Sequence, residues 1–506
     1  MKNRIRILAT SDFHGMIYPY IYSDNSEAML GMARMKTLIS ALRDENTILV
    51  DNGDVLQGSS IQTYHYLTHP SEVSPATIAF NEIGFDYINI GNHDFDYGGE
   101  ALAAHLNYLS APCLTSNVTY KGKPLGASYA VREIAGKKIA LFGVTTHFLK
   151  NWQGSKQLRS IKLRDACQCA KRTVEMITRL EKPDYIIGLY HGSFERDLVT
   201  GQPDGELNGE NQAYEMLKDI SGIDVLITGH AHMKMNGTLF GKHYVQTGQY
   251  GDCLACIDIY TDTGVIETKL LNNDAPADEA MMKLVQPEED ECQKLLDTVI
   301  GHTSMDLLIQ DDFAARIRKT QVITFINNLM REVTGADLAG SSLFKNATGF
   351  HKDITMRDLV STYRFADSLV VKKITGAQLR QYLEQSVEFW SIEGERIIIN
   401  PRFIKPKYTP YYYDMADGVE YTVRVSNDIG HRIESLTRNG VPVKDDDEMT
   451  ICLCQYRANG GGNYDMFKNL KTVSTYDKDM IQIMYDHIRN NPNIDFEPVN
   501  NITIVK

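Results

Sequence analysis

The architecture of this chain is most clearly indicated by one segment, Ile223-Asp224-Val225-Leu226-Ile227-Thr228-Gly229-His230-Ala231-His232. A short run rich in Ile, Leu and Val that ends at a turn residue is typical of a buried β-strand. Here the apolar run gives way to Gly229, and two histidines follow. The segment therefore predicts a strand whose carboxyl end presents imidazole side chains.

The same order, an apolar run followed by a short polar block, occurs four more times. Apolar runs over 4–9, 47–50, 87–90 and 184–189 precede the blocks Asp12-Phe13-His14, Gly53-Asp54, Gly91-Asn92-His93-Asp94 and His191-Gly192. If each run is a strand, the blocks can meet at one rim of a sheet, where open α/β folds place their ligands. The repetition predicts one site built from five separate segments.

The length of 506 residues exceeds what one hydrophobic core usually serves, so we expect two domains. The first 270 residues or so alternate strand-like runs with amphipathic helices, which favours an α/β or layered α+β domain. The charged stretch 278–299 is typical of a helix, and from residue 301 helices mix with strands. We therefore predict a catalytic domain over 1–275, a connector helix over 276–300 and a C-terminal domain over 301–506.

The polar blocks carry the ligand types of a two-metal phosphoesterase site. Two cations about 3.5 to 4 Å apart lower the pKa of a water molecule and hold phosphoryl oxygens. We expect one ion to be held by Asp12, His14 and His232, and the other by Asn92, His191 and His230, with Asp54 bridging the two. Mixed imidazole, carboxylate and amide ligands suit Mn²⁺ or Zn²⁺, with Fe or Co²⁺ as alternatives, better than Ca²⁺.

His93 follows the predicted ligand Asn92 and should point elsewhere from a loop at a strand end. It is therefore a candidate to stabilise the transition state or the leaving oxygen. Asp96, three residues further on, could orient its ring. We predict His93 and Asp96 as the catalytic pair.

With these motifs, the sequence resembles the calcineurin-like metallophosphoesterases and, within them, the bacterial 5′-nucleotidase family. The resemblance rests on Ser11-Asp12-Phe13-His14, residues 52–58, residues 91–98 and Gly229-His230-Ala231-His232. It implies an α+β protein with a four-layer αββα metal domain, a hinge helix and a C-terminal α/β nucleotide-binding domain. It also implies the same metal ligands and the same catalytic pair.

Two segments of the C-terminal half resemble those that hold a base between aromatic rings in this family. They are Tyr411-Tyr412-Tyr413-Asp414 and Tyr456-Arg457-Ala458-Asn459-Gly460-Gly461. Stacking accepts any base, because every base has a π-face. The resemblance implies that Tyr411 and Tyr456 bind the substrate, while a lone tyrosine of this kind could equally pack in a core.

Within the family, the chain looks closer to the 2′,3′-cyclic-nucleotide 2′-phosphodiesterase/3′-nucleotidase branch. Two features depart from the relatives. The 5′-nucleotidases carry an Asp directly after the glycine pair of the second stacking segment, where this chain has Gly462, and Asp94 stands where the cyclic-phosphodiesterase branch has Glu. The chemistry is therefore better defined by the sequence than the substrate.

The formal net charge of −13 argues against a nucleic-acid polymer as partner, because such a groove needs many Lys and Arg residues. A small anionic nucleotide remains compatible, since metal ions supply positive charge locally. The N-terminal residues enter the first apolar run at once, and no apolar span reaches the length of a transmembrane helix. We expect a cytoplasmic protein without membrane contact; the oligomeric state is left open.

The sequence thus predicts a dinuclear-metal hydrolase of nucleotide phosphoesters, in which metal-bound hydroxide attacks phosphorus in line. Its substrates would be 2′,3′-cyclic and 3′-nucleotides or 5′-nucleotides. Three alternatives stay open: a UDP-sugar or dinucleotide hydrolase, a phosphoprotein phosphatase, and a non-catalytic nucleotide-binding module. No residue of the sequence fixes the leaving group.

Overall fold

The computed structural model describes residues 4–151, 157–204, 207–363, 368–405, 408–496 and 501–506. The chain divides into two compact units, Met1–Cys292 and Gln293–Lys506. The division falls inside the helix Glu279–Leu296, which lies within the stretch that the sequence predicts as the connector.

The first unit contains two large sheets that share one core. The first sheet consists, in spatial order, of Ile266–Asn272, Cys253–Tyr260, Arg4–Thr10, Thr47–Asp51 and Tyr87–Ile88. The second consists of Lys234–Leu239, Lys242–Thr247, Val225–Thr228, Tyr185–His191, Lys137–Thr145 and Tyr129–Ile134. Ile7 and Val50 of the first sheet lie in the same buried cluster as Ile187 and Ile227 of the second. The two sheets are therefore stacked face to face.

Helices cover the outer faces of this stack. Leu8 and Leu49 point away from the shared core and are nevertheless fully buried, so a further layer covers the first sheet. On the second sheet, Val174 and Ile177 pack in one cluster with Phe142. The helices of this unit are Met32–Leu42, Ser60–Thr68, Pro75–Ile83, Gly98–Tyr108, Ala166–Leu180 and Ala213–Asp219. The resulting four layers confirm the predicted αββα arrangement.

The strands that precede the polar blocks run parallel within each sheet, so their carboxyl ends lie at one edge. All five predicted strands form, but the third is shorter than predicted and spans only Tyr87–Ile88. The chain leaves the sheet at Asn89, whose side-chain amide donates to Val144 O of the second sheet at 2.9 Å. This amide and that of Asn52, which donates to Tyr190 O at 3.0 Å, join the two sheets just behind the predicted site.

The second unit is built around a five-stranded sheet with its own core. The strands of this sheet are Asp414–Asp417, Leu338–Ser342, Glu448–Cys454, Ser368–Thr375 and Thr472–Asp479. A four-stranded sheet consists of Val441–Pro442, Ile433–Arg438, Glu420–Arg424 and Ile502–Val505. Asp353–Thr355, Val299–Thr303 and Asn493–Ile494 form a three-stranded sheet.

The helices of the second unit are Asp312–Ile317, Gln321–Thr334, Met356–Thr362, Gly376–Val387, Gln455–Ala458 and Met480–Asn490. Thr355 and Thr375 begin two of them with capping boxes, which satisfy the free backbone N–H groups of the first turn. Across the described residues of both units, no helix combines the length and the apolar character needed to span a bilayer.

Candidate active site

The loops that follow the parallel strands are bound to one another by their backbones. Asp12 N donates to Gly53 O at 2.8 Å, and His14 N donates to Asp54 O at 2.8 Å. Two glycines make this approach possible. A Cβ at Gly53 would lie 2.2 Å from the nitrogen of Gly91, and a Cβ at Gly91 would lie 2.1 Å from Asp54 Oδ1.

Five of the seven predicted metal ligands have left-handed backbone conformations. They are Asp12, His14, Asp54, His230 and His232, with φ values of 57°, 50°, 62°, 69° and 58°. Residues other than glycine rarely adopt such conformations, and each costs about 1 to 3 kcal/mol and persists only where the surrounding structure holds it. Strain of this kind concentrated in one cluster is typical of a functional site.

The first predicted ligand group is assembled as expected. Nε2 of His14 lies 2.9 Å from Nε2 of His232, and Nε2 of His232 lies 3.5 Å from Asp12 Oδ1. One ligand atom from each of these three residues lies within 4.8 Å of the others, a spacing that can hold a metal ion.

The second predicted group lies beside the first. Asn92 Oδ1 is 3.1 Å from His191 Nε2 and 2.8 Å from His230 Nδ1. Asp54 Oδ2 is 3.2 Å from His191 Nε2 and 3.9 Å from His14 Nε2, so it lies between the two groups. All seven side chains that the sequence singled out are thus brought together, with Asp54 where a bridging carboxylate would be.

The hydrogen bonds behind the rings decide which nitrogen atoms face the centre. His14 Nδ1 lies 2.9 Å from Gln57 O, and His191 Nδ1 lies 2.7 Å from Asn52 O. A carbonyl oxygen can only accept, so each Nδ1 carries a proton and donates it, and in the neutral ring Nε2 presents a lone pair. Asp54 Oδ2 is buried and faces Nε2 of His191 and Nε2 of His14, at 3.2 and 3.9 Å. Lone pairs that face one another across 3 to 4 Å fit a cation between them.

The pKa values of the cluster reflect the concentration of charge at its centre. Burial lowers the pKa of His191, but the carboxylates of Asp54 and Asp12 outweigh it and raise that pKa to about 10. Burial and the neighbouring His232 lower the pKa of His14 to about 3. Burial raises the pKa of Asp54, yet His191 and His93 hold it well below its usual value. The buried carboxylates of Asp54 and Asp12 thus concentrate negative charge at the centre of the cluster, which favours a cation there.

The predicted catalytic pair is formed at the border of the cluster. His93 Nδ1 lies 2.8 Å from Asp96 Oδ2, and the His93 side chain is 29% exposed. The backbone nitrogen of His93 donates to Asp54 Oδ1 at 2.7 Å. Burial lowers the pKa of His93, but Asp96 and Asp54 outweigh it and raise that pKa to about 9. The ring is therefore held by a carboxylate on one nitrogen, with part of its surface open to solvent.

Asp94 organises the site, and sequence reasoning assigned it no role. Its carboxylate accepts hydrogen bonds from the backbone nitrogens of Asp54, Val55, Leu56 and Gly91, at 2.7 to 3.0 Å. Its position directly after His93, in the block Gly91-Asn92-His93-Asp94, was a signal that it matters for the site. Its function depends on the loop after another strand, which the local sequence does not specify.

The two predicted nucleoside-binding segments contact each other inside the second unit. Tyr411 and Tyr456 are both half-buried. Arg457, the residue after Tyr456, donates through Nη2 to Tyr411 O at 2.5 Å. Tyr464 OH donates to Tyr412 O at 2.7 Å. The side chains of Arg457 and Tyr464 thus hold the backbone carbonyls of the first segment, and the rings of Tyr411 and Tyr456 stay partly accessible.

The departure at Gly462 has a physical reason. A Cβ at this position would lie 2.3 Å from Arg457 Nη1, and the backbone has a φ of 68°. An aspartate at this position, as in 5′-nucleotidases, would therefore collide with Arg457. In this chain the space is filled by the guanidinium.

Two family models match the chain. The model of the calcineurin-like phosphoesterases matches residues 5–234, and that of the 5′-nucleotidase C-terminal domain matches residues 299–469. The chain has the two-domain 5′-nucleotidase fold. The resemblance inferred from the motifs is thereby confirmed.

Curated relatives and a solved structure agree with this assignment. The 2′,3′-cyclic-nucleotide 2′-phosphodiesterase/3′-nucleotidase of Yersinia enterocolitica is 27% identical over 90% of the chain and 81% of the relative. The trifunctional nucleotide phosphoesterase protein YfkN of Bacillus subtilis is 24% identical over 99% of the chain, which spans only 39% of that relative. The structure of a putative 5′-nucleotidase from Staphylococcus aureus has a TM-score of 0.92 at 28% identity, covering 99% of this chain and 100% of that one.

Residues 5–234 therefore match the calcineurin-like phosphoesterases, and the chain is a hydrolase of phosphoester bonds, as predicted. Calcineurin-like phosphoesterases use divalent metal ions. The groups Asp12, His14, His232 and Asp12, Asp54, His191 have the ligand spacing to hold such ions.

Proposed function

We propose that this metallophosphoesterase hydrolyses nucleotide phosphoesters, with 2′,3′-cyclic nucleotides and 3′-nucleotides as the first candidates and 5′-nucleotides as the alternative. The observation that carries the proposal is the convergence of seven side chains of ligand type, whose facing nitrogen and oxygen atoms lie 2.8 to 3.9 Å apart. The names of the Yersinia and Bacillus relatives favour nucleotides as the substrate class.

Seven residues would hold the metal ions. Asp12, His14 and His232 would bind one ion, Asn92, His191 and His230 the other, and Asp54 would bridge the two. Mn²⁺ or Zn²⁺ fits this mixture of nitrogen and oxygen ligands, with Fe or Co²⁺ as alternatives. A pair of such cations supplies positive charge and an activated water for in-line attack at phosphorus.

The protein side chains hold protons and charges in place around the reacting phosphate. The carbonyls of Gln57 and Asn52 keep the Nδ1 protons of His14 and His191, so both Nε2 atoms stay turned to the centre. Asp96 holds the Nδ1 proton of His93 and leaves Nε2 of that ring for the substrate. His93 then stabilises the negative charge that develops on the phosphoryl oxygens or on the leaving oxygen.

Tyr411 and Tyr456 would hold the base, because both are half-buried and lie on segments fixed by Arg457. The proposed domain boundaries follow from these separate roles. We assign catalysis to 1–275, the connector to 276–300 and substrate binding to 301–506.

The experiment is a panel of substrates assayed with added Mn²⁺ and with Zn²⁺. It contains 2′,3′-cyclic, 3′- and 5′-nucleotides with several bases, together with UDP-glucose, a dinucleotide and a phosphopeptide. We expect the highest kcat/KM with the cyclic or 3′-nucleotides. Higher activity on the phosphopeptide or on UDP-glucose would replace the proposal with a phosphatase or a sugar-nucleotide hydrolase. A purified chain without bound metal and without activity would indicate a binding module.

A further inference from the structure

Glu210 lies beside the metal cluster and belongs neither to the predicted ligands nor to the catalytic pair. Its Oε1 is 3.2 Å from Nε2 of His230, and Nδ1 of the same ring is 2.8 Å from Asn92 Oδ1. Each nitrogen of His230 therefore faces a different oxygen atom. The two partners together decide which nitrogen carries the proton.

Both partners can only accept a hydrogen bond, but they differ in strength. The ionised carboxylate of Glu210 is the stronger acceptor, so it holds the proton of the neutral His230 ring on Nε2. In the neutral ring Nδ1 then keeps its lone pair, which points toward Asn92 Oδ1. His14 and His191 show the opposite arrangement, because backbone carbonyls hold their Nδ1 protons and Nε2 faces the centre.

The backbone of Glu210 is fixed from several directions. Thr146 Oγ1 donates to Glu210 O at 2.7 Å, and Tyr190 OH donates to the same oxygen at 3.3 Å. The nitrogen of Glu210 donates to Asn208 Oδ1 at 2.9 Å. Tyr190 directly precedes His191 on its strand, so the loop is anchored to the element that carries another ligand. The carboxylate is therefore placed by the fold, although its side chain is 31% exposed.

We propose that Glu210 is a positioning residue, which fixes the Nε2-protonated form of His230 and so directs Nδ1 to the ion bound by Asn92 and His191. This inference rests on the proposed function, because it requires that the cluster binds two cations. Carboxylates behind metal-binding histidines orient the ring and increase its basicity, and their loss typically weakens metal binding about 10- to 100-fold.

The test is metal binding by purified variants, with Mn²⁺ as the probe. Glu210→Met and Glu210→Ala remove the acceptor, Glu210→Gln keeps one acceptor oxygen, and Glu175→Gln on the exposed face of the helix Ala166–Leu180 is the matched control. Equilibrium dialysis gives the number of bound ions and their affinities. Electron paramagnetic resonance separates a coupled Mn²⁺ pair from a single ion.

We expect two ions and a coupled spectrum in the wild-type chain and in Glu175→Gln. In Glu210→Met and Glu210→Ala, one ion should bind about 10- to 100-fold more weakly, and the spectrum should become that of a single ion. Glu210→Gln should recover most of the affinity. Unchanged binding of both ions in the Met and Ala variants would overturn this inference and leave the proposed function standing. A wild-type chain that binds no ion pair would instead overturn the proposed function itself, and this inference with it.

Discussion

Arg457 and Asp414 form a bidentate ion pair inside the second unit. Arg457 Nε donates to Asp414 Oδ2 at 2.8 Å, and Nη2 donates to Oδ1 at 2.8 Å. The two side chains are only 4% and 2% exposed. Tyr382 OH donates to the same carboxylate at 2.9 Å. The pair thus connects the segment of Tyr411 to that of Tyr456. Both side chains make their polar contacts within the protein.

We expect Arg457→Met to destabilise the second unit by about 3 to 5 kcal/mol, because it leaves the carboxylate of Asp414 buried without its partner. Urea unfolding followed by tyrosine fluorescence measures the change. Arg424→Met is the matched control, since the Arg424–Glu434 pair is exposed and should leave the unfolding midpoint nearly unchanged. Equal midpoints for the two variants would contradict the role of the buried pair.

Tyr456→Ala should weaken the use of nucleotides and spare substrates without a base. Stacking on an aromatic ring contributes about 1 to 3 kcal/mol per base, which corresponds to a loss of about 5- to 150-fold in kcat/KM. Ribose 5-phosphate or 3-phosphoglycerate serves as the substrate without a base, and Tyr108→Ala, at an exposed tyrosine of the first unit, serves as the control variant. The same loss on substrates with and without a base would remove Tyr456 from base recognition.

Asp54→Asn should lose metal and activity together. Asparagine has the same shape and tolerates the left-handed conformation at this position, so the variant should still fold. It lacks the charge needed between two cations. Elemental analysis of the purified protein, beside Asp262→Asn as an exposed control, measures the metal content. Full occupancy by two ions in Asp54→Asn would argue against the bridging role.

His93→Asn should instead retain its metal content, while its turnover falls about 10²- to 10⁴-fold. The backbone nitrogen that donates to Asp54 remains in this variant, so the loop keeps its position. Asp96→Asn should reduce kcat less than His93→Asn, because it disturbs only the orientation of the ring. Steady-state kinetics with elemental analysis provides both readouts, and normal turnover in His93→Asn would exclude the ring from the mechanism.

The first unit should lose stability in mild acid because of His105. Burial lowers the pKa of His105 to about 3, from 6.5 for an ordinary histidine, and Nδ1 lies 2.7 Å from Thr77 Oγ1. Between pH 6.5 and about pH 3 the unfolded chain binds a proton that the folded chain does not. The free energy of unfolding therefore falls by about 1.4 kcal/mol for each pH unit below 6.5. Urea unfolding of wild type and His105→Gln at pH 7 and pH 5 measures this slope, which should be smaller in the variant; equal slopes would contradict it.

Much of the fold follows from local patterns in the sequence. The apolar runs predicted the strands that carry the site, and the periodic stretch 278–299 corresponds to the helix Glu279–Leu296. The seven proposed ligands could be predicted because each lies at or shortly after the carboxyl end of a strand, where neighbouring parallel strands bring them together. Their exact roles remain predictions.

Other features depend on contacts that no local pattern contains. Asp94 binds backbone nitrogens some 40 residues away along the chain. The orientation of His230 depends on Glu210, which lies between the strand Tyr185–His191 and the helix Ala213–Asp219 and precedes His230 by 20 residues. The hydrogen bond of the Asn89 amide to Val144 O depends on the position of the opposite sheet. Such partners are fixed only when the two sheets meet.

The five left-handed residues of the cluster have an evolutionary consequence. Their backbone strain lowers the stability of the fold, and selection for catalysis is what keeps them in the sequence. A descendant relieved of this selection would gain stability by exchanging Asp12, His14 or His230 for glycine. In a paralogue that has lost activity, the first substitutions should therefore occur at these positions, while the sheets behind them stay intact.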